Sequence, residues 1–513
     1  MHPNFAERLF TAMLRQPAQE VVRWPATQAG GAALSVSGAG LLARVAAWQR
    51  ALLASGTLPV GTPVLLAHPS SPELVAALLA LMGLGAVPVL PPAGATPRQL
   101  LALVRAEGIE RAVTTPRLQR RLGWLARLLG CRCVALAAPA AASYEAAPAA
   151  VHPTLRHVSP AQPALVSHSS GSVSGRPAAV RRSHQVLQAQ HEALRTQFSP
   201  WAGQRDFPLF PNILLHNLAV GVLSLLPDLP GGRLAAFDPA RIAAQLAAER
   251  VQTLTGNVYY FSTLVAHLAE RPAVFPLVRA LGIGGSPVPE HLLAALGRYF
   301  PQATCYVIYG SSEAEPIAVR AAAAADCLAP GRGYCVGFPA AGLALELRHS
   351  APIWQPADLV CGIGSGNAGS TARPAQQPFM AGEIVVRGPH VAQPAGTAAR
   401  AEGLATGDFG YFDAAGRLWL VGRRGAATLV RGVGHYQVEH VLRHTPGVVQ
   451  AAALPTADAA GFKVFIVGTA SLEAVRAAVE TAFRPGLVSQ VVRRPRLPVD
   501  QRHHSKIRYD LLR

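Results

Sequence analysis

Lysine is nearly absent from this chain. Of 513 residues only Lys463 and Lys506 are lysines, so 44 of the 46 basic residues are arginines. Acidic residues number only 28, which leaves a formal net charge of +18. With Gly and Pro at 47 and 43, the skew reads as a GC-rich coding bias rather than a binding surface. The arginines are scattered, densest from Arg117 to Arg132 among Leu and Trp, and no basic stripe with a recognisable module points to nucleic acid. Tolerance of anionic small molecules is what this charge supports. Six cysteines make no disulfide framework in a chain this long, and Cys131-x-Cys133 has no second pair at metal-ligand spacing. Long hydrophobic runs are also missing. The stretch from Glu73 to Leu90 is interrupted by Gly83, Gly85 and Pro88, so it reads as helix, turn and strand rather than a membrane span. Met1 to Phe10 carries Glu7 and Arg8 and no apolar signal segment, so a cytoplasmic location is expected.

Half the chain is hydrophobic and 14% is charged, enough for a large core and too apolar for a disordered or fibrous protein. Between residues 60 and 170 short apolar runs alternate with helical stretches. Strands are expected at Val64–Ala67, 86–90 and Ala112–Thr114, with helices at 72–82 and 97–107 and Pro or Gly at each joint. That grammar predicts an α/β fold with mostly parallel sheets. Residues Ala135 to Ala150 read as a linker, and strand Ala164–Val166 runs into a Ser/Gly loop. A second α/β block covers about 180–325, and 350–380 is irregular before a strand at Gly382–Arg387. Past Val421 a small α/β unit follows, with helices near Val438–Arg443 and Leu472–Phe483 and a strand near Val464–Val467. No internal repeat is visible.

Four short blocks carry chemistry. In the first, Ser167-His168-Ser169-Ser170-Gly171-Ser172-Val173-Ser174-Gly175-Arg176-Pro177, a strand leads into a hydroxyl-rich glycine loop and then an expected helix. Backbone N–H groups and small hydroxyls there can approach phosphate oxygens, although a surface Ser/Gly linker looks the same. The second, Tyr306-Val307-Ile308-Tyr309-Gly310-Ser311-Ser312-Glu313, offers an aromatic for a base and a carboxylate for Mg²⁺; the plain alternative is a strand exit with a helix-capping Ser. The third joins Thr406-Gly407-Asp408 to Gly422-Arg423. A carboxylate at a strand–turn position can accept two ribose hydroxyls, and an Arg at a hairpin exit can meet phosphate, or the pair is an ordinary hairpin. The fourth is His503-His504-Ser505-Lys506-Ile507. Lys506, in a chain that otherwise uses Arg, marks a need for a compact point charge or belongs to a basic tail. Gly364-Ser365-Gly366-Asn367-Ala368-Gly369 fits a dinucleotide fingerprint, but no helix follows it.

In this order and at these separations the blocks resemble the AMP-forming acyl-adenylating superfamily, which includes acyl-CoA synthetases, luciferases and peptide-synthetase adenylation domains. The resemblance covers nearly the whole chain and adds Gly284-Gly285-Ser286-Pro287 as an adenine-lining turn. It implies a large N-terminal domain of α/β subdomains (1–421) and a small mobile C-terminal α/β domain (422–513). Ser169, Ser170, Gly171 and Ser172 would then cradle the β- and γ-phosphates of ATP. Gly284, Gly285, Ser286, Tyr309, Gly310, Ser311 and Ser312 would line the nucleotide. Asp408 would take the ribose hydroxyls, Arg423 ribose or phosphate oxygens, and Glu313 the Mg²⁺. Lys506 would be the catalytic lysine that bridges carboxylate and α-phosphate. The implied reaction turns a carboxylic acid, fatty or β-hydroxy, into acyl-AMP and pyrophosphate. The acyl group then passes to CoA or a carrier-protein thiol, or closes on the substrate's own hydroxyl.

Asp206 to Phe210, Tyr309 to Pro316 and Pro498 to Ile507 are further similar to the β-lactone synthetases of bacterial olefin biosynthesis. Three positions depart from the superfamily pattern. Ala178 stands where a lysine follows the loop's Pro177, Gly425 replaces a hinge Asp, and Ser505 replaces the glycine before Lys506. Arg176, Arg181 and Arg182 are the nearby charges that could replace the missing lysine. The rival expectation is a nucleotide-binding pseudoenzyme or accessory protein.

Overall fold

The computed structural model describes residues 3–25, 33–68, 71–92, 95–114, 151–168, 178–229, 237–322, 331–354, 379–394, 402–424, 426, 429–500 and 504–512. The expected linker at 135–150, Cys131 and Cys133, the loop residues Ser169 to Pro177, the fingerprint at 364–369, Gly425 and His503 lie outside the described residues.

The βαβ grammar is realised. Strand Pro63–Ala67 pairs in parallel with Val87–Val89 and with Arg111–Thr114, joined through helices Pro72–Gly83 and Pro97–Ala106. Each helix begins where a hydroxyl and a proline coincide. Ser71 Oγ accepts from Leu74 N at 3.2 Å, and Thr96 closes a capping box with Gln99. Ala76 to Gly83 are all buried, which explains why the helix Pro72–Gly83 is apolar on every face. No helix among the described residues is long and apolar enough to cross a membrane. Val89 pairs in parallel with Val166 of strand Pro163–His168, completing the core of a six-stranded sheet.

Beside it runs a thirteen-stranded sheet. Its parallel part contains strands Arg205–Pro208, Thr253–Asn257, Ala280–Gly284 and Thr304–Tyr309. Beyond Thr304–Tyr309 the sheet continues in antiparallel fashion through Ala318–Ala322, Tyr334–Pro339, Leu418–Arg423 and Leu404–Phe412. The change of direction matters for function. It sets the C-terminal end of the parallel strands next to the hairpin that carries Asp408 and Arg423, which is where α/β sheets collect ligands. A three-stranded sheet, Val448–Pro455, Phe462–Gly468 and Val488–Arg493, packs with helices His435–Arg443 and Leu472–Ala482 around its own apolar core.

Two local expectations are corrected. The segment after the Ser/Gly loop is not a helix but strand Ala179–Ser183, antiparallel to Pro163–His168, and the helix begins only at His184. Ser183 is the reason, because its side chain accepts from Val186 N and so caps the helix one strand later. Asp408 does not sit at a strand–turn position but inside Leu404–Phe412, directly opposite Arg423 in register.

Helices Ala6–Arg15, His184–Phe198 and Pro211–Val220 bring two buried imidazoles together, His191 and His216, with ring centroids 4.8 Å apart. Arg8, Glu192 and Arg195 are the charged groups around them. Burial, followed by the neighbouring His216, pushes His191 down to about 3, and burial pushes His216 down to about 4. Both fold as neutral rings, whereas the unfolded chain takes up protons below about pH 6.5. Stability from this pair is therefore present above that pH and is lost on acidification. Urea unfolding at pH 7 and pH 5 should show a loss of about 2 kcal/mol for each imidazole, and the double change His191→Gln, His216→Gln should flatten that dependence.

Candidate active site

At the end of strand Ala280–Gly284 the chain must turn close to its neighbour. A Cβ at Gly284 would lie 2.8 Å from the Ile308 carbonyl oxygen, and Gly285 has φ +83°. Only glycine satisfies both demands without strain. The turn lets residues 285–288 line a cavity of about 260 Å³ with Tyr309, Gly310, Asp408, Arg423 and Lys506. The sequence separates these residues by more than two hundred positions, and the sheet order brings them together.

The floor of the cavity is polar and buried. Asp408, 6% exposed, accepts the Tyr309 phenol on Oδ2 at 2.9 Å and Arg423 Nη1 on Oδ1 at 2.9 Å. Asp408 N donates to Thr406 Oγ1 at 3.1 Å, and that hydroxyl donates to the Ile384 carbonyl at 3.0 Å. Burial, then the adjacent Asp408 carboxylate, pushes the Tyr309 phenol well above its usual range. The same carboxylate holds the Arg423 guanidinium firmly protonated. Tyr309 thus remains a donor and Arg423 a cation across the whole physiological range.

From Arg423 the network runs on through the C-terminal part. Its backbone N–H donates to His435 Nε2 at 2.8 Å, leaving Nδ1 to face Glu439 Oε1 at 3.3 Å. The same oxygen accepts Tyr509 Oη at 2.8 Å and Ala453 N at 3.0 Å. Lys506 is three residues before Tyr509, on a small antiparallel bridge of Val499 with Ile507. Asp500 closes it: its backbone N–H donates to the Lys506 carbonyl at 2.9 Å, and its Oδ1 accepts Lys506 N at 3.2 Å. Ser286 Oγ donates to Ser505 Oγ at 3.0 Å, joining the glycine turn directly to the residue before Lys506. Lys506 therefore belongs to an ordered element, not to a trailing basic tail.

Gly285, Ser286, Tyr309, Gly310, Asp408, Arg423 and Lys506 line one cavity. Gly284 ends the strand beneath it, and Ser311, Ser312 and Glu313 form the turn just beyond Gly310. In that turn Ser311 Oγ accepts from Glu313 N at 3.3 Å and Ala314 N at 3.2 Å, and Ala392 N donates to the Glu313 carbonyl at 2.7 Å. Ser311 thus shapes a turn rather than capping a helix. Ser169, Ser170, Gly171 and Ser172 lie outside the described residues. Sequence reasoning missed Tyr334, Tyr436, Arg443 and Tyr509, which also line the cavity; isolated tyrosines and one more arginine form no contiguous motif.

These residues fit a nucleotide. Tyr334 Oη and Arg443 Nε are buried without a hydrogen-bond partner among the described residues, and both residues line the cavity, so a polar ligand would relieve their desolvation. No group of three His, Cys, Asp or Glu that could hold a metal occurs among the described residues. Mg²⁺ needs no such cage, because one carboxylate, phosphate oxygens and water satisfy it; Glu313 lies three residues beyond Gly310, which lines the cavity.

A family profile described as AMP-binding enzyme matches residues 11–394. The chain is 29% identical to an olefin beta-lactone synthetase of Stenotrophomonas maltophilia, over 98% of this chain and 96% of that protein. Among solved structures, ATP-bound MatB from Rhodopseudomonas palustris superposes with a TM-score of 0.77 at 20% identity, covering 100% of this chain and 98% of its own. The o-succinylbenzoate coenzyme A synthetase of Bacillus subtilis, solved with ATP and magnesium ion, superposes with a TM-score of 0.74 at 17% identity, covering 99% of each chain. At such identities the structural likeness speaks for the fold: the α/β architecture is that of these enzymes.

Tyr309→Phe removes the phenol donor from a buried carboxylate. Denaturant unfolding should report a loss of about 1.5–3 kcal/mol, the range for hydrogen bonds to charged groups. An unchanged midpoint would mean that Asp408 does not depend on that bond.

Proposed function

The chain belongs to the AMP-binding enzyme family, the adenylate-forming acid ligases, and from that premise we propose that it activates a fatty or β-hydroxy acid with ATP. The observation that carries this reading is the cavity that gathers Asp408, Arg423, Tyr309, the Gly285–Ser286 turn and Lys506. One face suits an adenosine, and Lys506 lines the cavity from the C-terminal part.

In the proposed reaction a carboxylate oxygen attacks the α-phosphorus of ATP. An O–P bond forms, the bond from that phosphorus to the bridging oxygen breaks, and pyrophosphate leaves with the electron pair. No proton transfer is required, so positioning and charge stabilisation carry the rate. Lys506 sits between the two negative reactants and lowers their repulsion as the new bond forms. A carboxylate has about four lone-pair sites. Tyr309 and Arg423 use two of those on Asp408, which leaves capacity for the ribose hydroxyls. Tyr309 and Gly285 flank the base, and Ser169, Ser170, Gly171 and Ser172 hold the terminal phosphates. Glu313 would hold Mg²⁺, which when bound neutralises phosphate charge.

We assign residues 422–513 to a mobile unit carrying Lys506, so that a second step can follow its rotation. The acceptor is CoA, a carrier-protein thiol or the substrate's own β-hydroxyl. The last is favoured by the beta-lactone synthetase named above, since a β-lactone closes from a β-hydroxy acid. Leu214, Leu215 and Leu218 pack into the core, so the apolar character of 207–225 is accounted for by packing and says little about the acid.

Carboxylate-dependent exchange of labelled pyrophosphate into ATP, across fatty, β-hydroxy, aryl and amino acids, tests the reading. Exchange is expected with fatty or β-hydroxy acids. Lys506→Ala should lower it by about a hundred- to a thousandfold, the scale for loss of one group that stabilises transition-state charge, while AMP binding stays near wild type. Undiminished exchange in the variant would remove Lys506 from its role. Nucleotide binding without exchange for any acid would favour the pseudoenzyme.

A further inference from the structure

We propose that Tyr334, Glu439 and Arg443 read the edge of the nucleotide base and select a 6-aminopurine over a 6-oxopurine. This assignment rests on the adenylating reading above and deepens it.

Helix His435–Arg443 turns one face to the cavity: Tyr436, Glu439 and Arg443, spaced three and four apart, all line it. Tyr334 lines it from strand Tyr334–Pro339 and is 2% exposed. Its ring packs edge-on against Tyr436 at 5.6 Å and His440 at 5.2 Å, and Arg443 Cζ lies 5.9 Å from its centroid. The phenol is thus held in one orientation. Yet its Oη meets no hydrogen-bond partner among the described residues, and neither does Arg443 Nε. Tyr334 pairs with Leu420, three residues along the strand from Arg423, which faces Asp408. Three residues of strand span about 10 Å, comparable to the reach of a nucleoside from its ribose hydroxyls to the far edge of its base.

Donors and acceptors decide the ligand. The phenol and the guanidinium both donate. Glu439, 1% exposed, meets His435, Tyr509 and Ala453 N all on Oε1, which leaves Oε2 to a ligand. Formal charge here is balanced, Glu439 against Arg443, as Asp408 balances Arg423, so a neutral polar edge suits this end better than a further phosphate. An amine beside an accepting ring nitrogen is the edge of a 6-aminopurine. The amine donates to the carboxylate, and the ring nitrogen accepts from the guanidinium or the phenol. A 6-oxopurine reverses both, setting a carbonyl against the carboxylate and an N–H against the donors. Glu439 also holds Tyr509, three residues past Lys506, so the carboxylate that reads the base helps place the segment bearing the ammonium.

Binding of AMP, adenosine and IMP is measured by calorimetry for wild type, Tyr334→Phe and Arg443→Met. Wild type should prefer AMP to IMP by at least about tenfold, because the wrong edge leaves buried polar groups unpaired. Tyr334→Phe should weaken AMP and adenosine alike, by about 2- to 10-fold, the scale of one neutral hydrogen bond, and leave IMP within about twofold. Arg443→Met should weaken both by about 10- to 100-fold, the scale of a charge-assisted bond. Without ligand, Tyr334→Phe should unfold at or above the wild-type temperature, because the hydroxyl it removes is buried and unpartnered among the described residues. A lowered temperature would make that hydroxyl structural and overturn the proposal. So would equal binding of AMP and IMP by wild type. AMP weakened in the variants with adenosine untouched would assign these donors to phosphate and overturn it as well. If Arg443→Met does not fold, Tyr334→Phe decides alone by the same criteria. Wild type that binds neither AMP nor adenosine would overturn the adenylating reading itself, a different failure visible before any variant is made.

Discussion

Burying the Asp408 carboxylate obliges three distant elements to converge on it. A charge at 6% exposure must be matched by donors, and the chain supplies Tyr309 from the last parallel strand and Arg423 from the adjoining hairpin. Neither partner is local. Asp408 and Arg423 face each other only because their strands are in register, and Tyr309 reaches them only because the sheet changes from parallel to antiparallel at its own strand. The carboxylate thus lies beside the point where the sheet direction changes, and it lines the cavity.

The same constraint reaches the C-terminal part. Arg423 hands its backbone N–H to His435, which faces Glu439, which accepts Tyr509. Ser286 and Ser505, both lining the cavity, join the glycine turn to the residue before Lys506. Lys506, next to Ser505, is held by its backbone bonds with Asp500.

Much of this was legible in the sequence, for identifiable reasons. Glycines at 284 and 285, the pair Thr406 and Asp408, and a lone lysine at 506 are residue types that few backbone or charge environments demand, so their order carried information. Strands and helices of the first α/β block were legible to within a residue or two, because Ser71 with Pro72 and Thr96 with Pro97 mark helix starts unambiguously. What could not be read was pairing across the chain. Nothing near Tyr334 in the sequence indicates Arg443, and nothing near Glu439 indicates Tyr509. The segment after the glycine loop reads as a helix for a local reason. Ala179 to Arg182 has no helix-breaking residue, and only the cap at Ser183 reveals that the helix starts later. The clustering of Tyr334, Tyr436 and Arg443 beneath the cavity is likewise a product of packing rather than of any motif.

The central claim is that a carboxylate oxygen of the acid attacks the α-phosphorus of ATP in this cavity. The most direct measurement follows that oxygen. The enzyme is incubated with ATP, Mg²⁺ and an acid whose carboxylate carries ¹⁸O, and the products are weighed by mass spectrometry. The account predicts one ¹⁸O in the phosphate of AMP and none in pyrophosphate. Label in ADP or inorganic phosphate, or AMP formed without label, would contradict it.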